Sequence, residues 1–110
     1  MIEEIIKDYL KSALEIPAIM ELPESLPQKF VLIEKTGGSV ENHIYSATIA
    51  VQSYAESLYE AAKLNERVKV AMDSITTLSD IGSCRLNSDY NFTNTSIKRY
   101  RYQAVFDLIY

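Results

Sequence analysis

The sequence carries one cysteine, one histidine and no tryptophan, and each scarcity narrows what the chain can do. A lone thiol, Cys84, forms no intrachain disulfide and makes no metal site by itself. It reads as a small packed residue, in keeping with a reducing compartment. His43 stands at the mouth of an apparent strand beside Glu41 and Asn42, with no marked partner to orient it as a general base. No motif links it to Cys84, so an exposed strand-end histidine is the simpler reading. Asp80, Asp89 and Asp107 lack the spacing of a metal-binding loop. We therefore expect no catalytic residue, no metal and no cofactor, and a protein that is not an enzyme.

Positive charge is also scarce. The formal net charge is −4, and the densest basic run is "KRYR" at residues 98–101. Duplex-binding proteins usually concentrate cations on one face, because phosphate neutralisation supplies much of their affinity. A few solvated side chains on one strand are the simpler account of this run. No apolar stretch approaches the roughly 18 residues of a membrane span. The start, "MIEEIIKDYLKSALEI", lacks the basic opening and continuous apolar core of a signal peptide. Without a secretory route, the sequons at Asn91 and Asn94 are chance matches. Of the three glycines, Gly37 and Gly38 form a pair. A strand pattern follows them instead of the helix N-terminus a phosphate loop needs, so they read as a chain reversal.

What is present is ordinary globular material. The 110 residues are 47% hydrophobic and 24% charged. That length suits one domain, 1–110, able to bury about two-thirds of its unfolded surface. Ile2, Ile5, Ile6, Tyr9, Leu10 and Ala13 recur at helical spacing, with Glu3, Glu4, Lys7, Asp8 and Lys11 opposite. Pro17, Pro23 and Pro27 then forbid a continuing helix, and residues 18–21 offer a short edge strand. "FVLIE", residues 30–34, predicts a strand, and "KTGGSVENH" a link to the next one. Residues 44–52 alternate: Tyr45, Ala47, Ile49 and Val51 face one way, and Ile44, Ser46, Thr48, Ala50 and Gln52 the other. "SYAE", residues 53–56, has the form of a capping box, which predicts a long helix to about Ile75.

In residues 81–92, Cys84, Leu86, Ser88, Tyr90 and Phe92 alternate with polar residues, predicting a third strand. "TNTS" turns the chain. In the closing "RYRYQAVFDLIY", Tyr100, Tyr102, Ala104, Phe106, Leu108 and Tyr110 share a face. Core packing explains the tyrosines of this strand better than base stacking does, because they share that face with Phe106 and Leu108. The expectation is an α+β domain of order α-β-β-α-β-β, with an antiparallel sheet of about four strands and two helices on one face.

Three stretches together resemble the small tail terminator, or tail completion, proteins of long-tailed bacteriophages and prophages. They are "PQKFVLIEKTGG", "YSATIAVQSYAESLYEAAKLNERV" and "RYRYQAVFDLIY". The resemblance covers most of the chain and rests on the order and spacing of elements. It implies a virion structural protein of the tail and neck, assembled in the bacterial host cytoplasm. Such a protein forms a ring, usually of six copies, on the finished tail tube, stops its polymerisation and presents the surface that meets the head. The implied partners are further copies of itself, the major tail tube protein and a head-closure or connector protein, with genomic DNA only passing through the lumen and no membrane. Another neck component, a head-closure or adaptor protein, remains open beside it, as does a small ligand-binding or enzymatic domain.

Candidate oligomer or partner contacts are Lys35, Gly37, Gly38 and Glu41 in the glycine-containing loop. Ile44, Ala50, Val105 and Ile109 on outer strand faces join them, with Arg99 and Arg101 of the last strand. Isolated surface side chains account for the apolar positions equally simply, and a solvated hairpin loop and solvated strand arginines are the simpler account of the others.

Overall fold

Both helices lay an apolar stripe against the same side of a five-stranded sheet. The computed structural model describes residues 1–94, 96 and 99–110. The elements are α1 (Ile2–Leu14), β1 (Ala18–Ile19), β2 (Phe30–Glu41), β3 (Ile44–Ala55), α2 (Leu58–Asp73), a 3₁₀ turn (Ile75–Thr77), β4 (Ser83–Asn91) and β5 (Tyr100–Ile109). The sheet order is β1-β2-β3-β5-β4. β1 runs parallel to β2, and every other neighbouring pair is antiparallel. The α+β class and the shared helix face match the sequence reading. The sheet is mixed and has five strands, because Pro17 leads Ala18 and Ile19 alongside Val31 and Leu32.

α1 buries Ile2, Ile6, Leu10 and Leu14, spaced at four residues. Leu14 takes the core position that periodicity gave to the exposed Ala13. Glu15, at φ 56°, turns left-handed and ends the helix just before Pro17. Arg67 of α2 donates to the Leu14 carbonyl at 2.7 Å, and Tyr9 donates to the Ala71 carbonyl at 2.6 Å. These bonds join the two helices above a core that includes Val31, Ile33, Ala47, Ile49, Val51, Leu64, Val68, Met72, Ala104, Phe106 and Leu108.

Three local readings change. Gly37 and Gly38 do not reverse the chain. β2 continues through them with a bulge between Lys35 and Gly37, and neither glycine has positive φ. The reversal is at Asn42 and His43, with φ of 51° and 65°, the two central positions of a tight hairpin whose last pair is Glu41 and Ile44. Ser53 does not cap a helix. Ser53 to Ala55 remain in β3, paired with Tyr102 to Tyr100. The cap is Ser57, whose Oγ accepts from the Glu60 amide at 3.1 Å, and the helix ends at Asp73. The Glu60 carboxylate meets Lys29 at 2.7 Å, tying the proline-containing loop to the helix start.

Finally, a bulge between Leu86 and Ser88 flips the alternation in β4. Cys84 stays on the helix side, opposite Leu108. Tyr90 lies level with Gln103 and Phe92 stacks on Arg101, so both side chains reach the opposite face. Lys98 of "KRYR" and Thr95 of the expected turn lie outside the described residues.

Candidate assembly surface

The sheet face away from the helices has its own organisation. At one end Phe30 stacks on Tyr54 with ring centroids 4.5 Å apart, and Leu32, Ile19 and Leu26 pack around them. Next to this cluster runs a polar chain. Arg101 Nη1 donates to the Tyr54 hydroxyl at 2.8 Å, which donates to Gln52 Oε1 at 2.9 Å. Gln52 Nε2 donates to Gln103 Oε1 at 2.9 Å, and Gln103 Nε2 donates to the Tyr90 hydroxyl at 2.6 Å. The Arg101 guanidinium also lies 4.4 Å from the Phe92 ring centre and donates to the Phe92 carbonyl. Buried amides satisfied in this way stiffen a sheet, since each would be costly unpaired. The sequence signal for this network was two glutamines, Gln52 and Gln103, at strand positions facing away from the helices.

The candidate contact residues separate into four groups. Arg101 and Val105 belong to the half-buried middle of this face. Ala50 is only 1% exposed within the chain itself, so it is not a surface position. Its short methyl sits on a central strand between Glu34 and Val105, below the level of longer neighbours. Arg99 bridges to Asn94 ahead of β5, 4.0 Å from Glu56.

The remaining six, Lys35, Gly37, Gly38, Glu41, Ile44 and Ile109, are exposed and lie toward one end of the sheet. There the β2–β3 hairpin runs past the last pairing of β5, Ile109 with Ser46. Val40 and Ile44 at the tip are 59% and 55% exposed, with Tyr45 beside them. At the base of the arm is an open groove of about 740 Å³, lined by Ser39, Thr48, Ser83, Arg85, Asp107 and others. Asp107 accepts there from Thr48 at 3.1 Å and Asn87 at 3.0 Å, so its carboxylate is engaged in holding strands together.

The reactive groups are dispersed. Burial, with Asp73 and Asp107 nearby, pushes the Cys84 thiol up to about 11. His43 sits in the exposed hairpin turn. Among the described residues no three His, Cys, Asp or Glu side chains gather to hold a metal ion, and no helix is long and apolar enough to cross a membrane. On the helix side, Asp89 accepts from Asn65 at 3.0 Å and pairs with Lys69 at 2.6 Å. The Lys69 hydrogen bond holds its carboxyl below the usual range.

Both sheet edges are largely open. β1 covers β2 only at Val31 and Leu32, and among the described residues no strand flanks the outer side of β4.

No protein-family model and no curated protein matches this sequence. Among solved structures, a chain from the virion of a native gene transfer agent particle is similar in fold. The match has a TM-score of 0.53 and 9% identity, and covers 91% of this chain and 82% of that one. The chain therefore shares its α+β architecture, over nearly its whole length, with a component of that virion.

Proposed function

We propose that this chain is a structural virion protein of a phage or phage-like particle that caps the tail tube as a ring. In that position it ends tube polymerisation and forms the tail-side surface for head attachment. The observation that carries the reading is the fold shared with a gene transfer agent virion chain. The resemblance of the three sequence stretches to tail terminators supports the finer role. The protruding hairpin with apolar side chains at its tip suits a part that must grip neighbours. A net charge of −4 suits a lumen that DNA traverses without being held. The protein is not an enzyme on this reading, and its partners are further copies of itself, the tail tube protein and a head-closure or connector protein.

The test is native mass spectrometry of the purified protein over a concentration series, paired with binding to tail tubes and to the head-closure protein. A closed oligomer that binds tube ends is the expected result. Binding to head proteins alone would assign it to another neck component. A monomer that binds neither would overturn the reading. His43→Ala and Cys84→Ser should both assemble normally. Loss of assembly in Cys84→Ser, with the fold intact, would instead favour a ligand-binding or enzymatic domain.

A further inference from the structure

We propose that copies of this chain join head to tail by strand addition. The free edge of β2 in one copy pairs antiparallel with the free edge of β4 in the next, over residues 33–39 and 83–89. The inference rests on the reading that the protein assembles with itself, and it names the surface.

The two edges stand at the same height. Ile33 is level with Val51, Ala104 and Asp89, and Ser39 is level with Ser46, Ile109 and Ser83. β1 occupies the outer side of β2 at Val31 and Leu32 and so ends the free edge just before Ile33. Direction follows from the sheet itself. β2 and β5 run one way, β3 and β4 the other. A neighbour in the same orientation therefore presents its β2 antiparallel to β4.

The bulges agree. Within the chain, β2 carries one extra residue between Lys35 and Gly37, and β4 one between Leu86 and Ser88, at adjoining levels. Set against each other, the two strands pair one to one from Ile33 with Asp89 to Ser39 with Ser83, because the insertions cancel. A bulge normally blunts an edge against stray pairing. Here each edge mismatches a regular strand and matches the other.

The charges agree as well. Glu34, Lys35 and Arg85 are exposed and have no ion-pair partner among the described residues. In this register Arg85 lies one same-face level from the neighbour's Glu34 on the open face. Asp89 lies one level from the neighbour's Lys35 on the helix face. Diagonal neighbours across a strand pair are about 7–8 Å apart, within reach of long side chains. A contact between two different edges is heterologous, so its repetition closes into a ring or continues as a filament.

The experiment mixes two single-cysteine proteins, Ser39→Cys and Ser83→Cys, each also carrying Cys84→Ser, with a short bis-maleimide. Within one chain these positions are three strand spacings apart, roughly 14 Å at about 4.8 Å each, and separate proteins cannot cross-link internally. The expected product is a 39–83 linked dimer, at least tenfold more abundant than 39–39 or 83–83 links. Gln28→Cys, an exposed loop position, replaces Ser39→Cys as the control and should give no such product. Arg85→Glu should weaken self-association about tenfold, and Glu34→Arg combined with it should restore it. Equal amounts of all links, or no 39–83 link at any concentration, overturns the edge pairing. Native mass spectrometry of the wild-type protein then decides separately whether the ring reading falls too. A closed oligomer leaves the ring on another surface, and a monomer leaves these edges to a different protein.

Discussion

Moving the chain reversal from the glycine pair to Asn42–His43 can be tested with three substitutions. His43 holds φ 65° in an exposed turn. The left-handed region costs an L-residue roughly 1–2 kcal/mol that glycine avoids. Glycine in turn loses about 0.5–1 kcal/mol more than other residues on folding. His43→Gly should therefore stabilise the protein by roughly 0.5–1 kcal/mol, the difference between those terms. His43→Val should destabilise it by about 1 kcal/mol or more, since a β-branched side chain tolerates this region worst. Gly37 has no positive φ, and a Cβ built there meets nothing within 4 Å. Gly37→Ala should accordingly gain about 0.4–1 kcal/mol by stiffening the unfolded chain.

Urea unfolding followed by far-UV circular dichroism measures all three. With a slope near 1.5 kcal/mol/M, His43→Gly should raise the midpoint by roughly 0.3–0.7 M without changing the slope. If Gly37→Ala destabilises by more than about 1 kcal/mol while His43→Gly is neutral, the glycines are the turn after all.

Three further outcomes are expected. Phe106, 2% exposed between the helices and the sheet, should not tolerate Asp: a buried unpaired charge should abolish the cooperative melt, and a normal melting curve would put the wrong face inside. Tyr54→Phe removes the hydroxyl linking Arg101 to Gln52 and should cost about 1–3 kcal/mol in chemical denaturation, with the Phe30 stacking preserved. The Cys84 thiol, pushed up to about 11, should react with maleimide faster with each rising pH unit until near that value; a plateau by pH 9 would show an open thiol. The sign for stability follows. The unfolded state ionises first, so the thiol's contribution is present below its unfolded value and fades as pH rises toward about 11.

Much of the fold was legible in local patterns. Periodicity placed α1, because Ile2, Ile6 and Leu10 must share one buried stripe. Alternation assigned the faces of β3 and β5, since side chains two apart in a strand point the same way. Tertiary structure decided the rest, for three physical reasons. A glycine permits a turn without requiring one, so only strand pairing could put the reversal at Asn42–His43. Two Ser-x-x-Glu boxes follow one another, at residues 53–56 and 57–60, and only the pairing of residues 53–55 with β5 selected the second. A bulge leaves no local signature, yet one residue between Leu86 and Ser88 moved Tyr90 to the face where Gln103 waits. The open edges are tertiary as well, because a strand is an edge only by virtue of what does not lie beside it.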